Sequence, residues 1–181
     1  MLRRCAQIAL VGIFIAGGIP AQAQMVLIPI PGPTVTCPRP SSKLARLSIA
    51  RARATLPQFW AAYRVASWWN RDGFRVLVPF TMADGRDIAL WVRVKSVART
   101  EFTGVLEQAS PTDKHFRVGD SANGKLADPV DWSFSGMRDG DRKYGDFYWR
   151  TMADHSCSLE DRKTLYSSFL TPDVMPKSWG P

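Results

Sequence analysis

From Phe74 to Met82, and again from Ile88 to Val94, large apolar residues of this 181-residue chain recur on every second position. That period admits paired β-strands and excludes a helix, because side chains alternate between the two faces of a strand. Phe74, Val76, Val78, Phe80 and Met82 alternate with Arg75, Leu77, Pro79 and Thr81. Ala83-Asp84-Gly85-Arg86-Asp87 then supplies turn chemistry. In a second strand Ile88, Leu90, Val92 and Val94 form the apolar side, opposite Trp91, Arg93 and Lys95. A third segment sets Phe102, Gly104 and Leu106 against Glu101, Thr103 and Glu107. An antiparallel meander brings those glutamates near Arg93 and Lys95, where cross-strand ion pairs are worth about 0.2–1 kcal/mol.

Upstream the period is helical. Ser41 or Ser42 can cap a helix beginning near Lys43, with Leu44, Leu47, Ala50 and Ala54 close to one face and Lys43, Arg46 and Arg53 largely off it. Thr55 followed by Pro57 predicts a second helix start, since proline suits a first turn. Phe59, Trp60 and Tyr63 supply its apolar contacts, and the helical region is expected to end near Trp69, before Asn70-Arg71-Asp72-Gly73. Downstream, 108–114 reads as a loop, 116–120 as a short extended piece, and Asn123-Gly124 as a tight turn. Short strands are expected over 130–134 and 144–152, joined by a glycine- and charge-rich segment, 135–143, expected to be mobile. A short helix is expected over Leu159 to Phe169. The fold class is α+β, with N-terminal helices packed on one face of a five- or six-stranded, mainly antiparallel sheet.

The N-terminus has the order of an export signal. Arg3 and Arg4 precede an uncharged apolar run, Ile8 to Ile19, then Pro20 and the small-x-small triplet Ala21-Gln22-Ala23. This predicts a Sec-type signal peptide cleaved after Ala23, a mature chain starting at Gln24, and a periplasmic or secreted location. The run is shorter than the ~20 residues that span a bilayer, and Pro20, Pro29 and Pro31 argue against one continuous anchor helix. No transmembrane segment is expected after cleavage. Cys5 lies at the start of the run, which argues against a lipoprotein, and Cys5-Ala6-Gln7 is a poor twin-arginine continuation. The organisation is thus a signal at 1–23, a proline-rich lead at 24–41, a single domain at 42–155 and a C-terminal extension at 156–181.

Loss of the signal takes Cys5 away and leaves Cys37 and Cys157 as an even pair in an oxidising compartment, which predicts a disulfide. A loop that long gives about 4–5 kcal/mol in the chain-entropy account. A Cys157 nucleophile with His155 as base is the weaker reading. Cleavage also removes Arg3 and Arg4, so the net charge of +8 falls to +6. That charge fits an anionic envelope component as partner, with no strong nucleic-acid signal. The local group Lys43, Arg46, Arg51 and Arg53 reads best as a solvated helix face.

In order along the chain stand Ala54-Thr55-Leu56-Pro57-Gln58-Phe59, Ala89-Leu90-Trp91-Val92, Gly104, Pro111, Val118-Gly119-Asp120, Asp131-Trp132 and Gly145…Arg150. As an ordered set over roughly 45–152, they resemble the bacterial domain-of-unknown-function family 2314, which includes YegJ-like exported proteins. The family often places polar or acidic residues before its counterpart of Trp91, where this chain has Ile88-Ala89-Leu90. The resemblance implies a compact domain and no established chemistry.

Catalytic signals are sparse. His115 and His155 are far apart, and Asp154-His155-Ser156-Cys157 has no second half for a metal site. No nucleophile elbow, phosphate-binding glycine loop or dinucleotide fingerprint occurs, so no catalytic set, cofactor or metal is assigned. Binding candidates remain. Trp91 with Arg93 and Lys95 shares the less apolar strand face, where an indole can stack on a ligand ring and the cations hold an anion. Covering of that face by a helix is the competing reading. Asp131, beside Trp132, is either a desolvated acid-base carboxyl or a turn cap paired with an arginine such as Arg150. The sequence therefore points to an exported, non-enzymatic binding or interaction module, with a hydrolase acting on an envelope polymer through Asp131 as the alternative.

Overall fold

The computed structural model describes residues 26–27, 41–136, 142–155 and 157–170. The expected signal peptide, nearly all of the lead including Cys37, the middle of the 135–143 segment and residues 171–181 lie outside the described residues. The architecture is α+β. Strand β1 (Val26–Leu27) precedes helices α1 (Ser42–Val65) and α2 (Trp68–Arg71). Strands β2 (Phe74–Thr81), β3 (Asp87–Val97), β4 (Glu101–Leu106), β5 (Ser121–Lys125), β6 (Asp131–Phe134) and β7 (Tyr144–Gly145) follow. Helices α3 (Phe147–His155) and α4 (Leu159–Ser167) come last. The sheet order is β5-β4-β3-β2-β6-β7 with antiparallel neighbours throughout, and β1 runs parallel to Ile88–Ala89 of β3.

The meander β2-β3-β4 stands where the two-residue period placed it. Facing pairs such as Val76 with Val92 and Arg75 with Arg93 set its register. One face packs on α1 through Phe74, Val76, Val78, Ile88, Leu90, Val92, Phe102 and Trp132. The centre is aromatic. Phe59 of α1 stands 5.2 Å from Trp132 and 5.3 Å from Phe74 by ring centroids, and Trp60 stacks 5.6 Å from Phe102.

Helix α1 departs from expectation in two ways. It is continuous through Pro57, so no second helix starts at Thr55. Proline removes one i to i−4 bond, but the Thr55 hydroxyl donates to the carbonyl region of Arg51 and Ala52 at 3.2 and 3.1 Å. Burial of Leu56, Phe59, Trp60 and Tyr63 holds the helix on both sides of the proline. These large side chains also choose the buried face. Steps of three and four back from them reach Ala52 and Ser48, leaving Leu47, Ala50 and Ala54 exposed. The helix ends at Val65, and Trp68–Arg71 is a separate turn.

Three further differences follow from packing. Asn123-Gly124 lies inside β5 rather than in a turn, with Gly124 opposite Phe102. A Cβ on Gly124 would stand 3.0 Å from the Phe102 ring, so glycine here answers a close approach. Residues 116–120 form turns rather than an extended piece. The strand expected over 144–152 stops after two residues and becomes α3, because Gly145 and Asp146 take left-handed φ values of 73° and 58°.

Helix α4 packs on α3 through Met152, Ala153, Cys157, Leu165 and Phe169. Gly104 tests the meander. Its missing Cβ would fall 2.3 Å from the Arg93 carbonyl and 2.5 Å from Val92 Cγ1. Gly104→Ala is expected to lower stability by about 2 kcal/mol or more, read as a lower denaturant midpoint; an unchanged midpoint would refute the β3–β4 register.

Candidate functional site

The second face of the sheet carries the charged residues. Arg75 on β2 and Arg93 on β3 face each other across the strand pair, and both reach Glu107 just past β4. Arg75 Nε donates to Glu107 Oε2 at 2.6 Å, whereas Arg93 Nε is 3.5 Å from Oε1 and makes no hydrogen bond among the described residues. Two guanidinium groups therefore share one carboxylate, and the weaker-held Arg93 has a side chain 36% exposed. Beside them the strand pairing shifts between Val94 and Ser96. Lys95 lies within that irregularity, and its ammonium meets Asp72 at 2.8 Å. The Lys95 contact holds the Asp72 carboxyl below its ordinary pKa, with Arg93 and Arg75 adding to the pull.

Trp91 does not join Arg93 and Lys95 on the surface. It is 2% exposed and packs with Leu77, Ala89, Val130 and Ile49 of α1. Among the described residues its indole N–H finds no acceptor, a cost of about 1–3 kcal/mol set against burial of a large ring. The expected tryptophan platform is thus core beneath a basic surface, and stacking on a ligand is not open to it. The reason is the apolar ground on that face of β2 and β3: Leu77 and Ala89 are as buried as Trp91 itself.

Asp131, Trp132 and Arg150 are buried and belong to the joint between sheet and C-terminal helices. Asp131 accepts N–H bonds from Trp132, Phe147 and Tyr148 at 2.8, 3.1 and 2.9 Å. Two of these are the first amides of α3, so a strand carboxylate caps a helix that lies next to it. Arg150 does not pair with Asp131. Its guanidinium donates to the carbonyls of Gly145, Lys143 and Leu170 and lies 4.4 Å from the Phe169 ring centroid. Trp132 donates its indole N–H to Ala52 O and Thr55 Oγ1.

Asp146 stands beside Asp131 and is also buried. Burial, then the neighbouring Asp146 charge, pushes the Asp131 carboxyl up to about 8, against three backbone donors that favour the anion. Burial also raises Asp146, with Lys143 and Arg150 opposing. Burial and mutual repulsion both disfavour ionising the two carboxyls together, which favours a proton shared between them.

Arg75, Glu107 and Asp146 were not singled out from the sequence. Arg75 had a legible signal, since it alternates with the apolar residues of β2 and can face a basic residue on β3. Glu107 had a partial one, as a glutamate expected near Arg93. Asp146 had none, because its burial depends on the left-handed break before α3. Among the described residues no group of three His, Cys, Asp or Glu side chains could hold a metal ion, and no helix is long and apolar enough to cross a membrane. No protein-family model, curated protein or solved structure matches this chain.

The carboxyl pair makes stability depend on pH. A folded-state pKa above the unfolded value means that folding takes up a proton, so stability falls as pH rises from the ordinary carboxylate range to about 8 and then levels. Asp146→Asn keeps a residue that tolerates left-handed φ and removes one of the two charges. It is expected to raise the denaturant midpoint at pH 9 relative to the unaltered chain and to flatten the fall between pH 6 and 9; an equally steep fall would contradict the shared proton.

Proposed function

We propose that this chain is an exported, non-enzymatic binding module whose Arg75–Arg93–Lys95 face takes an anionic component of the cell envelope. The observation that carries the reading is Arg93, a guanidinium held among the described residues by one long ion pair in which Arg75 has the closer claim on the carboxylate. An arginine presents five N–H donors in a fixed fork suited to carboxylate or phosphate oxygens. Such a partner would exchange with Glu107 rather than require burial of an unpaired charge.

Export itself belongs to this proposal. Arg3, Arg4, the Ile8 to Ile19 run and Ala21-Gln22-Ala23 support a signal peptide cleaved after Ala23. A Cys37–Cys157 bridge fits the oxidising location, and Cys157 is buried. Kinship with the family of unknown function rests on the ordered sequence set and would place the protein among exported domains. The alternative, a hydrolase using Asp131, is favoured by the raised pKa. It is opposed by a carboxyl that is 3% exposed with both oxygens engaged by backbone amides.

Two measurements test these statements. Arg93→Gln combined with Lys95→Gln is expected to weaken binding to a soluble polyanion such as dextran sulfate by about tenfold at low salt. Lys43→Gln with Arg53→Gln, the same charge loss on α1, and Trp91→Phe are expected to bind as the unaltered chain does. Equal weakening by both charge pairs would leave net charge rather than a site as the cause. Non-reducing peptide mapping of the exported chain is expected to begin at Gln24 and to join the Cys37 and Cys157 peptides; an N-terminus at Met1, or unlinked peptides, would remove the corresponding part of the proposal.

A further inference from the structure

Where α1 hands over to the sheet, three large apolar side chains stand in solvent. Val65 is 60% exposed, Trp68 78% and Trp69 51%. They are adjacent in the chain and are carried on the end of α1 and on α2, a four-residue helix with no buried residue. Exposing two indoles together is costly, since each buries 150–250 Å² of surface when covered. The surrounding charge is basic. Arg64 and Arg71 flank the group in the chain, and the acid nearest in sequence, Asp72, is already paired with Lys95. Arg71 bonds Ala66 O and lies over the Tyr63 ring, so its charge has no acidic partner among the described residues.

We infer that Val65, Trp68 and Trp69 form a shallow insertion site for an anionic lipid bilayer surface. This rests on the anionic-partner reading above and names the partner's chemistry. Tryptophan is favoured at the boundary between headgroups and acyl chains, where an apolar ring and a polar N–H are both accommodated. Basic residues next to such a wedge add electrostatic attraction to an anionic leaflet. The ring geometry separates this partner from others. Trp68 and Trp69 meet edge to face, 5.6 Å apart at 80°, so no single flat sugar ring can lie on both. A second copy of the chain would set basic flank against basic flank, which like charge opposes.

The exported chain, recovered from the envelope of expressing cells, is cosedimented with vesicles of phosphatidylcholine alone and of phosphatidylcholine with phosphatidylglycerol. Binding is expected to the anionic vesicles and to fall steeply with salt. Trp68→Ala with Trp69→Ala is expected to lower that partitioning by about tenfold or more, from the transfer value of buried apolar side chains. The melting temperature and dextran sulfate binding are expected to stay unchanged, since both residues lie on the surface. Vesicle binding by this variant equal to that of the unaltered chain overturns the inference, as does binding of the unaltered chain to dextran sulfate but to neither vesicle. In both cases retained polyanion binding leaves the basic-face reading intact. Undiminished dextran sulfate binding by the Arg93→Gln, Lys95→Gln variant is the separate outcome by which that reading fails.

Discussion

Asp131 fixes where the sheet ends and the C-terminal helices begin. Its carboxyl takes the first two amides of α3 together with that of Trp132, so one side chain ties β6 to a helix that starts only after β7. Helix termini leave amides that the helix cannot satisfy, and burying them unpaired is costly. Here the adjacent strand supplies the acceptor. Asp146, at the usual capping position, has a left-handed backbone and contributes its carbonyl to Arg150 N instead.

Much of the lower half of the molecule is anchored by the consequence. With α3 placed, Arg150 turns its guanidinium onto three carbonyls, including Leu170 beyond α4. Cys157 and Phe169 then close over Met152 and Leu165. A buried cation held by carbonyls and a buried carboxyl held by amides are complementary solutions to one problem, the desolvation of charge. Neither is exposed as a chemical group, and both read as architecture. The surfaces proposed for recognition lie elsewhere, at the Arg75–Glu107–Arg93 cluster and the indole pair at the α1–α2 corner.

Legibility followed the range of the interactions. The β2-β3-β4 meander could be read because a period of two and a turn are local properties. The continuity of α1 could not, since Pro57 lowers helix propensity while contacts of Phe59, Trp60 and Tyr63 with the sheet outweigh it. Asn123-Gly124 misled for the same reason: a dipeptide with strong turn preference is kept in β5 by its pairing with Phe102 and Thr103. Asp131 and Arg150 were correctly noticed as unusual, but their separate roles depend on backbone groups that meet only after folding.

The sequence by itself determined the α+β class, the two-residue strand period and the excess of positive charge, because patterning and composition need no knowledge of partners. Tertiary structure decided which face of α1 is buried, that Trp91 is core while Trp68 and Trp69 are surface, and that Asp131 caps a helix. All three depend on what lies opposite a side chain in space. An indole has one hydrophobic character wherever it stands in the chain, and only packing against Leu77, Ala89 and Ile49 distinguishes Trp91 from its exposed counterparts.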